Sequence, residues 1–221
     1  MTSTMQRAWP VAAVFDCDGL LVDSEHCWHA AYRAAAEAVG RSLDGVSLAA
    51  FNGASVGLAA ERLSRALALP ISHQLLRQQL LHAIETLPVE PLPGAEQLLA
   101  VLGRELPLAV ASNGPAAAIE TLLSRTGLRG CFSVVVSAEQ TPAPKPHPHV
   151  YVEACRRLDV DPSDAIALED SPTGVAAARA AGLLVVAVPS DRDLRMDADL
   201  MVGRLDDERV LSLFGLRQAA G

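Results

Sequence analysis

The stretch VAAVFDCDGLLVDSE, residues 11–25, joins a buried-strand pattern to a cluster of acids. Its first five residues are apolar without polar alternation, which is typical of a parallel strand that is buried on both faces. Asp16 and Asp18 follow directly, one residue apart, and a glycine comes next. Because two neighbouring carboxylates at a strand end repel each other, the stretch predicts that a positive charge lies beside them.

The rest of the chain divides into a helical block and an alternating block. Residues 24–86 contain no convincing strand, and their apolar spacing predicts three helices and one short helical turn. From residue 88 onward, strand-like and helix-like segments alternate, which predicts βαβ units around a parallel sheet. The predicted helices of the first block cover residues 24–40, 55–70 and 72–87, with the turn at residues 47–53. The later predicted strands cover residues 106–112, 132–139, 165–170 and 183–189.

These patterns predict an α/β fold with an insertion. The first strand belongs to the same sheet as the later ones, so the helical block interrupts the sheet domain directly after it. The expected architecture is a doubly wound, Rossmann-like parallel-sheet core that carries an inserted α-helical cap domain. We assign residues 1–22 and 88–221 to the core and residues 23–87 to the cap.

Composition narrows the classes of function. Half of the 221 residues are hydrophobic and the net charge is −8, which argues against a nucleic-acid or acidic-membrane partner. The N-terminus lacks a signal-peptide pattern, and no run approaches the roughly 20 apolar residues of a membrane span. We therefore expect a cytoplasmic protein. The four cysteines form no C-x-x-C pair, which predicts free thiols without a zinc or redox motif.

Charged and polar residues follow several predicted strands. In open α/β sheets, ligands bind beyond the carboxyl ends of the strands, so these residues are expected to share one edge. Taken singly, each has an ordinary explanation: a turn, a helix cap or a solvated loop lysine. Together, clustered carboxylates predict a hard cation such as Mg²⁺, and a hydroxyl with a lysine suits a phosphate. The residues are Asp16, Asp18, Ser112, Lys145 (the only lysine), Glu169 and Asp170.

Four segments in order carry a resemblance to a known family. FDCDGLLVDSE, ASNG, KPHP and EDSPTG resemble the four motifs of the haloacid dehalogenase superfamily of phosphohydrolases. The helical insert after the first motif is similar to the cap of the β-phosphoglucomutase-like branch. The short segments SNGP and DSE resemble those of bacterial sugar-phosphate phosphatases, including 6-phosphogluconate phosphatase-like proteins.

The resemblance implies roles for individual residues. Asp16 is the expected nucleophile, and Asp18 is the expected acid and base. Ser112 and Lys145 are expected to hold the phosphoryl group, with help from backbone amides near Cys17, Asp18 and Asn113. The implied Mg²⁺ ligands are the Asp16 carboxylate, the backbone carbonyl of Asp18, the Asp170 carboxylate and Glu169, the last either directly or through water.

The sequence argues against two other activities of the same superfamily and leaves a third open. Asp18 argues against a dehalogenase, which lacks this second acid, and a cap without lysine argues against a phosphonoacetaldehyde hydrolase. A phosphosugar mutase of the β-phosphoglucomutase type stays open as the alternative to a phosphatase. It requires cap groups for a second phosphate, for which the candidates are Arg33, Arg41, Arg62, Arg65 and Arg77, although such arginines commonly form a solvated face.

Two hypotheses from other functional classes are less consistent with the sequence than a phosphohydrolase. A phospho-signalling receiver domain carries its phosphorylated aspartate after the third strand and has no large helical insert. A catalytically inactive binding module predicts loss of a core motif residue, and none is lost. The expected partner is a small phosphorylated metabolite, with neither nucleic acid nor membrane, and the expected state is a monomer or weak homo-oligomer.

The cap contains two features whose role the sequence leaves open. The segment FNGAS, residues 51–55, is either a loop that brings Gly53 to the substrate or an ordinary turn between helices. His26, Trp28 and His29 begin the first cap helix and either line the cleft or pack the hinge.

Overall fold

The computed structural model describes residues 10–51, 53–190 and 194–216. Asn52 of the predicted cap loop lies outside the described residues, as do residues 191–193 and the two ends of the predicted core domain. The strands are β1 (Ala12–Phe15), β2 (Val22–Asp23), β3 (Glu90–Pro91), β4 (Leu108–Ser112), β5 (Val134–Ser137), β6 (Ala165–Glu169), β7 (Leu184–Ala187) and β8 (Leu200–Met201). The helices are α1 (Glu25–Glu37), α2 (Val56–Leu67), α3 (His73–Thr86), α4 (Ala95–Leu102), α5 (Ala116–Arg125), α6 (His149–Leu158), α7 (Pro172–Ala181) and α8 (Glu208–Leu213).

The central sheet is parallel and has the order β5-β4-β1-β6-β7-β8. From β1 the chain passes through α1–α3, then builds β4 and β5 on one side before it crosses to β6 on the other side. The strand order therefore reverses at β1, and a crevice opens there beyond the carboxyl ends of β4, β1 and β6. The predicted α/β fold class and the insertion of helices after the first strand are confirmed.

The two faces of the sheet differ in side-chain size. One face carries large residues such as Phe15 and Leu168, and it shares a continuous buried cluster with α1–α5. The opposite face is rich in alanine, for example Ala109 and Ala167, and packs against α6 and α7. Small side chains on this face allow those two helices to lie close to the strands, which fixes the helix N-termini beside the crevice.

The connections between the sheet and α1–α3 are paired. Strand β2, which leads out of the sheet domain, forms an antiparallel ladder with β3, which leads back, with Val22 opposite Pro91 and Asp23 opposite Glu90. This ladder was not predicted, because two-residue strands have no periodicity and Pro91 argues against a strand. The cap and core boundaries stay a prediction, since the buried cluster runs continuously from α1–α3 into the sheet.

Other differences from the sequence prediction are local. The predicted strand at residues 132–139 ends at Ser137, whose side chain caps a short helical turn at Ala138–Gln140. Strand β8 was missed because its two residues lie in a polar segment. Within the described part of the chain, no helix combines the length and the apolar character that crossing a bilayer requires.

Candidate functional site

The predicted strand-end residues meet at the crevice. Asp16 and Asp18 follow β1, Ser112 ends β4, and Glu169 ends β6, with Asp170 directly after it. Lys145 arrives from the loop after β5, and its side chain is only 3% exposed. Because β4, β1 and β6 are neighbours in one parallel sheet, their carboxyl ends bring these side chains together even though they lie far apart in sequence.

A tight turn after β1 brings the first loop onto the last. Gly19 has φ +80°, a conformation that residues with a Cβ rarely adopt, and its amide donates to the Val22 carbonyl. A Cβ on Gly19 would lie 2.4 Å from an Asp170 carboxylate oxygen. The glycine is therefore required both by the turn and by the close approach of Asp170.

A buried lysine joins two carboxylates. Lys145 Nζ lies 2.5 Å from Asp16 Oδ1 and 2.6 Å from Glu169 Oε1. Tyr151 on α6 donates its hydroxyl to the same Glu169 oxygen, and its ring centroid lies 5.1 Å from Lys145 Nζ. Burial and the adjacent Glu169 raise the pKa of Tyr151 well above its ordinary value, so this hydroxyl stays a donor. Lys145 is thereby held in the crevice by two carboxylates and one aromatic ring.

Glu169 lies behind the crevice and not in its lining. It is fully buried against the first turn of α7, where a Cβ on Gly174 would lie 1.9–2.0 Å from its carboxylate. Its second oxygen accepts from Ser171 Oγ at 3.3 Å. Its contacts with Lys145, Tyr151 and Ser171 make orienting the lysine its clearest role, and direct metal ligation by Glu169 stays a prediction.

Three carboxylates lie close enough to hold a metal ion. One oxygen each from Asp16, Glu169 and Asp170 lies within 4.8 Å of the others. When ionised, they carry three negative charges against one positive charge on Lys145. Burial raises the pKa of Asp16 to about 8, and burial with the neighbouring Asp16 raises that of Asp170 well above its ordinary value. Burial thus disfavours the ionised form of both carboxylates, and a divalent cation bound by their oxygens would offset this effect.

The lysine remains an ammonium ion in this cluster. Burial alone would lower the pKa of Lys145, but Asp16 and Glu169 outweigh that effect and raise it. The Lys145 ammonium in turn opposes the rise in the pKa of Asp16. The lysine therefore favours the ionised form of the Asp16 carboxylate.

Asp18 is held by residues that the sequence analysis did not assign to the site. Its Oδ1 accepts from Ser24 Oγ at 2.7 Å and from Trp28 Nε1 at 2.9 Å. Its Oδ2 lies 3.4 Å from Ser112 Oγ. Trp28 was left open between cleft and hinge, and it both lines the cavity and contacts Asp18. The only sequence signal for Ser24 and Trp28 was that two hydrogen-bond donors stand four residues apart at a helix start.

The Asn113 side chain bridges two loops. Its Nδ2 donates to the Gly53 carbonyl at 2.8 Å, and its Oδ1 accepts from the Lys145 amide at 2.8 Å. These bonds tie the segment before α2 to the lysine loop. They also leave the backbone amide, and not the side chain, as the group of Asn113 that could contact a phosphate.

A cavity of about 80 Å³ lies between the strand ends and α1. Gly53 lines it, which agrees with the first of the two readings of the FNGAS segment, although contact with a substrate stays a prediction. Three aromatic side chains form one wall, with ring centroids 6.0 Å apart for Trp28 and Tyr32 and 5.2 Å apart for Tyr32 and Phe51. The core residues that line the cavity include Asp16, Asp18, Ser112, Asn113, Lys145 and Asp170.

Comparison with known proteins gives a family and named relatives. The family model for haloacid dehalogenase-like hydrolases matches residues 11–182, a range that contains the whole carboxylate and lysine cluster. Hexitol phosphatase B of Escherichia coli K12 is 31% identical, over 81% of this chain and 84% of that protein. The bifunctional riboflavin kinase/FMN phosphatase of Arabidopsis thaliana is 40% identical over 55% of this chain, which spans only 34% of that relative's length.

A solved structure supports the fold. The β-phosphoglucomutase of Clostridium difficile superimposes with a TM-score of 0.80 and 22% identity, covering 92% of this chain and 96% of that chain. At this identity, the likeness concerns the fold.

Proposed function

The chain belongs to the haloacid dehalogenase-like hydrolases, and on this premise we propose that it is a Mg²⁺-dependent phosphatase of small phosphate monoesters within their β-phosphoglucomutase-like branch. Sugar and polyol phosphates are the proposed substrates. The observation that carries the proposal is that Asp16, Asp18, Ser112 and Lys145 all line one cavity. The named phosphatase relatives agree with a phosphoric monoester hydrolase.

The reaction proceeds in two steps on the chain's own residues. The Asp16 carboxylate attacks phosphorus, the bond from phosphorus to the ester oxygen breaks, and Asp18 gives its proton to the departing alkoxide. Asp18 then takes a proton from water, whose oxygen attacks the aspartyl-phosphate, and inorganic phosphate leaves as Asp16 is regenerated. Lys145 and Ser112 hold the phosphoryl oxygens on which charge develops.

The carboxylate cluster fits Mg²⁺. Asp16 and Asp170 would hold the ion through carboxylate oxygens and Asp18 through its backbone carbonyl, with Glu169 as a further or water-mediated ligand. When bound, Mg²⁺ supplies charge neutralisation for the clustered carboxylates and the phosphoryl group.

The leaving-group side of the cavity suits a polyhydroxylated alcohol. Trp28, Tyr32 and Phe51 offer apolar ring faces to the carbon skeleton of such a molecule. Glu25, which also lines the cavity, offers carboxylate oxygens that accept hydrogen bonds from hydroxyl groups. The hexitol phosphatase relative is consistent with this class.

The scarcity of positive charge in the cavity lining favours hydrolysis over the mutase alternative. A mutase must hold a second phosphate, yet among the described lining residues only Lys145 is cationic, and it is already paired with two carboxylates. The cap arginines that were candidates for the second phosphate do not line the cavity: Arg33, Arg41, Arg62, Arg65 and Arg77. Arg65 pairs with Glu61, and Arg77 pairs with Glu139.

A substrate panel tests the proposed function. With Mg²⁺ present, we expect phosphate release from p-nitrophenyl phosphate and from at least one hexose, hexitol, pentose or glycerol phosphate. A hexose 1-phosphate supplied with a bisphosphate primer should release phosphate faster than it isomerises. If every ester stays intact, the phosphatase proposal fails. If isomerised product appears faster than phosphate, the mutase replaces it.

The metal proposal predicts a pH-dependent stability. In the unfolded chain Asp16 ionises near pH 3.8, whereas in the fold its pKa is about 8. The folded state therefore binds more protons between these values, and the melting temperature in EDTA should fall as pH rises from about 4 to 8. Mg²⁺ at a hundred times its Kd should raise the free energy of unfolding by about 2.7 kcal/mol and thereby raise the melting temperature again. The gain should be larger at pH 8 than at pH 5, because protons compete for the ligands.

A matched variant separates specific binding from ionic strength. Asp170→Asn should lose most of the melting shift caused by Mg²⁺ at pH 8, and NaCl of equal ionic strength should not produce the shift. An unchanged wild-type melting temperature with Mg²⁺ at pH 8 would refute the site.

The cellular location, the macromolecular partners and the oligomeric state are predicted from the sequence alone. A cytoplasmic location, the lack of nucleic-acid and membrane partners, and a monomeric or weakly associating state all stay predictions.

A further inference from the structure

We propose that Trp28, together with Ser24, is a positioning residue for Asp18: the two donors fix one carboxylate oxygen so that the other transfers the proton. This inference rests on the proposed phosphatase function. It assigns Asp18 Oδ1 to anchoring and Asp18 Oδ2 to proton transfer at the substrate oxygen.

Ser24 does not cap its own helix, although serine at a helix start usually accepts a hydrogen bond from a backbone amide of the first turn. It occupies the N-cap position of α1, yet its side chain accepts no hydrogen bond from that helix. Three other N-cap serines, Ser55, Ser72 and Ser171, do accept from their own helices, at 3.1–3.3 Å. Ser24 instead donates to Asp18 Oδ1 at 2.7 Å. Unlike these three serines, Ser24 at the start of α1 therefore contacts the candidate site and does not cap its own helix.

Trp28 supplies a second donor from the same helix face. Residues four apart lie one above the other on a helix, so Trp28 faces Asp18 as Ser24 does. Its indole nitrogen lies 2.9 Å from Asp18 Oδ1 and can only donate. Trp28 is 9% exposed and packs beside Tyr32, which limits the orientations open to its ring.

The two oxygens of Asp18 are therefore not equivalent. Oδ1 receives two short hydrogen bonds, whereas Oδ2 lies 3.4 Å from Ser112 Oγ, beyond the usual length of an O–H···O hydrogen bond. Asp18 lines the cavity beside Ser112, the expected phosphate ligand. Anchoring Oδ1 prevents the carboxylate from rotating, which leaves Oδ2 for the oxygen of the leaving alcohol and later for water. Such orientation contributes to general acid catalysis because geometry decides whether the proton can move.

A simple packing role for Trp28 makes a different prediction. If Trp28 only fills space, removing its N–H should change the turnover of all substrates by the same factor. If Trp28 orients the acid, the loss should depend on how much protonation the leaving group requires. p-Nitrophenolate leaves without protonation, whereas a polyol alkoxide does not.

The test compares kcat/KM for p-nitrophenyl phosphate and for a polyol phosphate that the wild type hydrolyses. This constant reports the steps through transfer to Asp16, so it isolates the protonation of the leaving group. Trp28→Phe keeps an aromatic ring and removes the donor, and Ser24→Ala removes the other donor. We expect each to lower kcat/KM for the polyol ester by about 10- to 100-fold while the value for the aryl ester stays within about threefold. KM for the polyol ester should change much less than kcat.

Matched variants serve as controls. Tyr32→Phe keeps the ring that faces the substrate and leaves both donors to Asp18 in place, so the ratio of kcat/KM for the two esters should stay close to the wild-type ratio. Ser72→Ala removes an ordinary helix cap, so it should lower the melting temperature without separating the two substrates. Ser24→Ala carries the test if Trp28→Phe folds poorly.

The outcomes are distinct. Equal losses on both esters, or no loss on the polyol ester, in Trp28→Phe and Ser24→Ala overturn the positioning role. A wild-type protein that hydrolyses neither ester overturns the phosphatase function itself.

Discussion

Asp16→Asn should lower phosphatase turnover on the order of 10⁴-fold or more, the scale seen when a covalent nucleophile is removed. The amide that replaces the carboxylate carries no negative charge and does not form the acyl-phosphate. The fold should survive, because the side chains have nearly the same shape and Lys145 keeps Glu169 as a partner. The pH dependence of stability assigned to Asp16 should also become shallower, since its raised pKa is absent from the variant.

The measurement is steady-state hydrolysis with Mg²⁺, accompanied by circular dichroism and thermal melts. Asp16→Ala guards against deamidation of the new asparagine to aspartate. Asp23→Asn is a matched control, because Asp23 is an exposed aspartate outside the cavity, and it should keep wild-type turnover. Turnover of Asp16→Ala within tenfold of the wild type would remove Asp16 from the role of nucleophile.

Lys145→Met should abolish turnover and also destabilise the fold by about 3–5 kcal/mol at neutral pH, as expected when one partner of a buried ion pair is removed. The variant leaves Asp16 and Glu169 buried without their shared cation. In the wild type, the pKa of Lys145 is raised from an already high value, so its stabilisation is fully present throughout the neutral range. Without Lys145, the pKa of Asp16 should rise further, because the ammonium that lowers it is gone.

The stability lost in Lys145→Met should depend on pH. The wild type also holds the Asp16 proton up to about pH 8, so its stability and that of the variant should fall in parallel below that pH. The stability deficit of the variant should grow only above about pH 8, where the wild type releases this proton and the variant does not. Urea unfolding on the two sides of pH 8 measures the difference. Arg77→Met makes the same kind of change at the half-exposed ion pair with Glu139, where the expected effect is below about 1 kcal/mol. Equal, small losses for both variants would contradict a buried, essential lysine.

The sequence predicted the core of the site because strand ends converge. Asp16, Asp18, Ser112 and Asp170 each follow a recognisable apolar run, and a parallel sheet brings such positions to one edge. The same logic predicted the α/β fold and the helical insertion, since both depend on periodicity over many residues.

The supporting residues could not be predicted in this way. Tyr151 lies on a helix that any amphipathic pattern would explain, and its bond to Glu169 depends on the packing of α6 against the sheet. Ser24 had the sequence signature of a helix cap, and only the orientation of its hydroxyl distinguishes the two uses. The hydrogen bonds of the Asn113 side chain could not be predicted either, because its partners Gly53 and Lys145 lie in loops that are distant in sequence.

The pairing of β2 with β3 gives the helical insert a single point of exit and return, which matters for exchanging it by engineering or in evolution. The chain leaves at Val22 and returns at Pro91, directly opposite. Opposed residues of an antiparallel pair are about 4.5–5.5 Å apart, a gap that a two-residue hairpin turn closes. An insert from another protein would therefore enter and leave at one point, but it would also have to supply the apolar residues by which α1–α3 pack into the buried cluster of the sheet. Such an exchange replaces Trp28 and the aromatic wall together, so one recombination event changes both the preferred alcohol and the groups that orient its proton donor.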